Sequence, residues 1–178
     1  MQQKIIVYGD DRLRKCSDSV TIKDPFIDLI RNLFDTLNCY GGIGLAAPQI
    51  GLNQSVFVID TFPQSKFDPD HKPFKLACLN PQILWYSKRK TLFNEGCLSI
   101  PSIYEDVSRP ESITVRYLNE RFEQVEETID GIKARIFQHE FDHLNGVLFI
   151  DHLKAFQKVR IAYQLNKIKN NSFHHSEL

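Results

Sequence analysis

Apolar residues at Phe26, Ile30, Leu33 and Leu37 recur at the spacing of one helix face. Asp24 is expected to cap this helix with Pro25 in its first position, and Gly41 and Gly42 are expected to end it. The pattern then changes period. Residues 55–60, 74–79, 82–86, 112–118 and 124–129 are rich in β-branched and aromatic side chains, several in alternation, and predict strands. Between the first two, residues 61–73 carry prolines and aspartates and predict an exposed loop. Helical spacing returns at residues 130–144, with Asp130 as cap and Gly146 as terminator. A last helix is expected from about Asp151, itself the cap, to Lys169, followed by a loose tail over 171–178. Helix, strands, then helices predict an α+β fold with mixed or antiparallel sheets. They should pack around a central helix, with an N-terminal and a C-terminal helix, in one domain spanning 1–170.

Composition narrows the class without naming a function. The 178 residues suit one domain, and 42% hydrophobic with 25% charged residues is ordinary for a globular protein. Lys plus Arg equals Asp plus Glu at 22 each, so the whole chain has no electrostatic bias toward nucleic acid or an acidic membrane. No stretch approaches membrane-spanning length, and the apolar run from Ile5 to Tyr8 is too short for a signal-peptide core. Cys16, Cys39, Cys78 and Cys97 are scattered without a C-x-x-C pair, which predicts reduced thiols in a cytosol.

The expected central helix carries QHEFDHLNG at 138–146. Residues four apart on a helix share a face, so His139 and His143 can address one metal ion, with Glu140 close enough to reach a water there. Ile132 and Ile136 continue the stripe and turn this face inward. The bland alternative is a surface helix that happens to hold two histidines.

A metal site needs a third protein donor, and the usual downstream places lack one. The extended metalloprotease pattern has Phe149 where its last histidine belongs, and Glu177 is the only glutamate after Glu140. Asp151 and His152 remain candidates, as do His174 and His175 in the tail. Upstream, NEGCLSIP at 94–101 places Cys97 between a strand and a turn, bounded by Gly96 and Pro101. A Cys-His-His set would leave a fourth position open for water, as catalytic sites require. GGIGLAAPQIG at 41–51 imitates a dinucleotide fingerprint, but a helix precedes it and Pro48 and Gly51 oppose a long helix after it. It reads either as a plain loop or as a loop whose backbone holds an extended peptide, with Gln49 placing an amide donor in the site.

GIGLAAPQ, EGCLS and QHEFDHL, in that order, closely resemble the three signature motifs of the peptide deformylase family. YGDDRLRK also resembles the family's start, so the similarity covers roughly residues 4–153. The resemblance implies hydrolysis of the formyl group from the N-formylmethionine of nascent polypeptides, by a metal-activated water assisted by Glu140. It implies Cys97, His139 and His143 as metal ligands, Glu140 as general acid and base, and Gln49 with the Leu98 N–H as oxyanion donors. Gly44 and Gly96 would be backbone partners for the peptide, and Ile43 and Ile136 would border the methionine pocket. One divalent ion is implied, Fe(II) by family habit, with Zn(II) or Ni(II) also found. Ser102, Ile103 and Tyr104 depart from the arginine- or glycine-containing stretch common at that point, which leaves side-chain preferences beyond methionine open. Arg109 matches a common basic position.

Lys154, Lys158, Arg160, Lys167 and Lys169 lie on the expected last helix with no acid among them. A solvated face explains them, while the resemblance adds ribosome docking near the peptide exit. A bacterial cytoplasmic monomer is the resulting expectation. The alternatives are another metal-dependent amidase or peptidase, or a binding domain that kept the shell without the activity. Glu140 and Gln49 argue against the latter, because binding alone would not need them.

Overall fold

The computed structural model describes residues 1–65 and 73–170. The expected tail and most of the expected loop lie outside them, although Thr61, at the loop's start, is buried.

The first apolar stripe forms α1 (Phe26–Tyr40), and Phe26, Ile30, Leu33 and Leu37 are all buried. Gly41 takes the left-handed conformation, φ 68°, and ends the helix as expected. The start differs from the sequence reading. Pro25 occupies the N-cap position, and the Asp24 carboxylate accepts hydrogen bonds from the N–H and hydroxyl of Thr21 instead of capping α1. An aspartate that bonds back to the preceding turn is held away from the helix's own first N–H groups, so this local bonding competes with capping.

Strand β1 (Gly44–Ala46) and strand β2 (Val56–Asp60) follow, then a one-turn helix α2 (Phe62–Ser65). The two segments expected at 74–79 and 82–86 are one strand, β3 (Lys75–Tyr86). A register shift between Leu79 and Gln82, with Asn80 at φ 49°, takes up Pro81 without breaking the strand. Strands β4 (Lys90–Cys97) and β5 (Ile100–Pro110) form a separate two-stranded sheet. Strands β6 (Ser112–Leu118) and β7 (Gln124–Asp130) complete a five-stranded sheet ordered β1-β2-β3-β6-β7. Every strand pairing within the two sheets is antiparallel, so the sheets are not mixed.

Helix α3 (Gly131–Leu144) runs between the sheets and contacts β1, β2, β5, β6 and β7. Phe137 anchors it edge-on to Phe57 on β2, ring centroids 5.0 Å apart, and burying such rings contributes about 1.5–3 kcal/mol each. Asp130 stands at the N-cap position but makes no side-chain cap bond. The last helix starts later than expected. Residues 149–152 form a 3-10 turn, in which Asp151 accepts from the Leu148 N–H at 2.8 Å and pairs with Arg14. Helix α4 (Ala155–Asn170) then packs Ile161, Leu165 and Ile168 into the core beside β5. No helix among the described residues is long and apolar enough to cross a membrane.

Candidate active site

Three separate segments meet beside α3. The helix presents His139 and His143 on its inward face, and β4 ends on Cys97 at the same place. The donor atoms of Cys97, His139 and His143 all lie within 4.8 Å of one another, with Cys97 Sγ 3.2 Å from His143 Nε2. Of the other candidate donors, Asp151 is engaged with Arg14 and His152 faces Asp142 at 2.7 Å, so neither joins the group. His174 and His175 lie outside the described residues.

The group is built to hold its orientation. Glu95 accepts from His139 Nδ1 at 3.0 Å, which directs Nε2 toward the other donors. Glu95 is itself clamped by Arg109, whose Nε and Nη2 lie at 2.8 and 3.0 Å, and by Arg135 Nη1 at 2.8 Å. Arg109 also donates to Asp142 at 2.6 Å. Burial would raise the Glu95 pKa, but hydrogen bonds from His139 and Arg109 outweigh it and hold the carboxyl well below its usual range. Burial also lowers His139, and its hydrogen bonds to Cys97 and Glu95 overcome that and raise it. His143 goes the other way: burial, then the charge on His139, hold it well below the ordinary imidazole value. A neutral imidazole has a lone pair to give to a metal.

Glu140 is buried at 3% exposure, and burial pushes its pKa up to about 7, against the opposing charges of His139 and Arg109. Its Oε2 is buried without a hydrogen-bond partner among the described residues. Gly44 faces this carboxylate so closely that a Cβ there would collide with it. Gln49 is oriented from behind: its Oε1 accepts from the Ala46 N–H at 2.8 Å, so Nε2 points at Cys97 Sγ, 3.4 Å away, and Ser99 Oγ, 3.3 Å away. The glycine stretch is therefore strand β1 plus a 3-10 turn, not a plain loop.

A cavity of about 730 Å³ opens over the group. Gly42, Ile43 and Gly44 form one wall, Gly96, Cys97 and Leu98 another, and Ile132 and Ile136 contribute apolar floor. Ile43, Gly44, Gln49, Gly96, Cys97, Leu98, Ile136, His139 and Glu140 thus line the cavity, and His143 completes the donor group without lining it. Sequence reasoning missed the clamp of Glu95, Arg109 and Arg135. A signal existed: on β5 the buried positions Ile103, Glu105, Val107 and Arg109 alternate, so charges fall in phase with the apolar side.

The donor chemistry fits one divalent ion. One cysteine sulfur and two imidazoles converge, the histidine tautomer is set from behind, and an orphaned carboxylate oxygen sits alongside. An α+β scaffold with such a three-donor group at the end of a peptide-sized cleft is that of a mononuclear metallohydrolase. Comparison with known proteins is specific. Residues 2–159 match the family model of the polypeptide deformylases. A peptide deformylase of Pseudothermotoga lettingae is 43% identical over 173 residues, covering 97% of this chain and 95% of that protein. Among solved structures, a peptide deformylase from Legionella pneumophila aligns with a TM-score of 0.81 at 36% identity, covering 96% of each chain. The Plasmodium falciparum peptide deformylase in complex with an inhibitor aligns at 0.82 and 34%, covering 94% of this chain and all of that one. The chain belongs to the polypeptide deformylase family.

Proposed function

We propose that this protein removes the formyl group from the N-formylmethionine of nascent polypeptides, with residues 1–170 acting as one catalytic unit. The observation that carries the reading is the convergence of Cys97, His139 and His143 beside a buried Glu140, beneath a cleft walled by two strand edges. Among the described residues strand β1 ends the five-stranded sheet and β4 pairs with β5 alone, so both have an outer edge at the cavity. An extended peptide can lie between such edges by strand addition, with Gly44 and Gly96 allowing close backbone approach.

Cys97, His139 and His143 would hold the metal, which when bound would supply Lewis acidity toward a water and the formyl oxygen. Glu140 would take the proton of the attacking water and pass it to the departing amine, a task suited to a carboxyl poised near neutrality. Gln49 Nε2 and the Leu98 N–H donate to the oxyanion as the carbonyl becomes tetrahedral, and one such donor is worth about 3–4 kcal/mol. Ile43 and Ile136 border the methionine pocket, with Ile132 continuing its wall. A formyl carbon carries a hydrogen where an internal amide carries the rest of a residue, so a narrow approach would admit the one and exclude the other.

The donor set suits Fe(II), Zn(II) and Ni(II), and we propose Fe(II) on the family's habit. We further propose a cytoplasmic monomer that touches the ribosome through α4, on which Lys158, Arg160, Lys167 and Lys169 stand without an acid. The deciding experiment is anaerobic purification with metal analysis, followed by formate release from formyl-Met peptides. Stoichiometric metal and formate release are expected; no formate with iron, zinc or nickel bound would end the assignment.

A further inference from the structure

Ser102 and Tyr104 sit at the mouth of the cleft, on either side of the buried Ile103. Between the pairs Gly96↔Tyr104 and Cys97↔Ile100, strand β5 accommodates three extra residues, Pro101, Ser102 and Ile103. Ser102 takes the left-handed conformation at φ 63°, uncommon for a residue with a side chain. Bulges of this kind re-aim the side chain that follows. Here that side chain is Tyr104, whose ring lies over Gly96 so closely that a Cβ on Gly96 would run into it. The ring is 68% exposed and lines the cavity rim.

Face alternation says what the ring can meet. Directly paired residues on antiparallel strands project to the same face, and neighbours along a strand to opposite faces. Glu95 points down to His139, so the Gly96–Tyr104 pair faces away from the donor group. A peptide added along the outer edge of β4 alternates likewise. If its methionine side chain descends toward Ile43 and Ile136, the next side chain rises on the Tyr104 face. Gly96 has no side chain to separate the two.

Resting on the deformylase reading above, we infer that Tyr104 is a specificity-determining residue that selects an aromatic or large apolar side chain at the position immediately after methionine. The ring contacts that side chain across Gly96, in the manner of a cross-strand aromatic pair. Such a pair predicts a roughly three- to tenfold preference in kcat/KM.

The test compares formyl-Met-Phe-Ala, formyl-Met-Ala-Ala and formyl-Met-Ala-Phe as substrates of the metal-loaded wild type, Tyr104→Phe and Tyr104→Ala. The wild type should favour Phe over Ala at the second position by roughly three- to tenfold. Tyr104→Phe should keep that ratio and Tyr104→Ala should bring it near unity, while the ratio at the third position stays the same in all three proteins. Each ratio is internal to one preparation, so a loss of folded protein cancels. A wild-type ratio near one, a ratio unchanged in Tyr104→Ala, or a change confined to the third position would overturn the assignment while leaving deformylation standing. No formate from any of the three peptides would overturn both.

Discussion

Replacing Glu95 by Gln should cost this protein a large part of its stability, although the side chain is nearly isosteric. Glu95 is 6% exposed and accepts four hydrogen bonds: two from Arg109, one from Arg135 and one from His139. A glutamine offers one accepting oxygen. Its amide nitrogen, placed in either orientation, would face donors instead of accepting from them. Two buried guanidinium groups would also lose their shared counter-charge, although Arg109 keeps Asp142. Breaking a buried ion pair by removing one partner costs about 3–5 kcal/mol, against a total stability on the order of 5–15. With a urea slope of about 2 kcal/mol per molar, the midpoint should fall by about 2 M. Equilibrium unfolding of the metal-free proteins measures this without linkage to the ion. The pH dependence adds a sign. The folded pKa of Glu95 lies below the ordinary 4.5, so its contribution is full above about pH 4.5 and fades as pH falls toward the folded value. The gap between wild type and variant should narrow in acid. A midpoint shift under about 0.5 M at pH 7 would refute the clamp as a stabilising element. Metal affinity should also drop roughly 10- to 100-fold, since His139 loses its orienting partner.

Cys97→Ser should lower the metal content of the purified protein and abolish most turnover, and full metal with full activity would remove Cys97 from the ligand set. Glu140→Gln should bind metal normally yet release formate roughly 10²–10⁴ times more slowly, read by single-turnover kinetics. In the metal-free wild type, Glu140 keeps its proton until about pH 7 when folded but loses it near 4.5 when unfolded. Stability should therefore fall as pH rises between those values, by about 3 kcal/mol, and a thermal-melt series should show this loss absent in Glu140→Gln. Deleting residues 154–178 should weaken ribosome binding and its salt dependence, measured by co-sedimentation, and equal binding would exclude α4 as the contact.

Much of this architecture was legible from local pattern. The α1 stripe, the Gly41 stop and the histidine spacing on α3 each depend on a few neighbouring residues, whose periodicity and backbone preference act over one or two turns. Caps were less legible, because a carboxylate such as Asp24 or Asp151 chooses among several nearby N–H groups according to how the chain enters. The β5 strand was overlooked because Glu105 and Arg109 occupy inward positions, which hides the apolar alternation. They are tolerated there because Glu95, Asp142, Arg160 and Gln157 arrive from other elements to pair with them.

By itself, then, the sequence determined the donor types and their spacing on α3, since a helix carries residues four apart to one face wherever it lies. Only the tertiary structure decided that Cys97 Sγ, 42 residues upstream of His139, arrives within ligand distance of both histidines. It also decided that three charged side chains lock His139 in place, and that burial carries Glu140 to about 7. Those properties arise from desolvation and from contacts between distant segments, which no local pattern encodes.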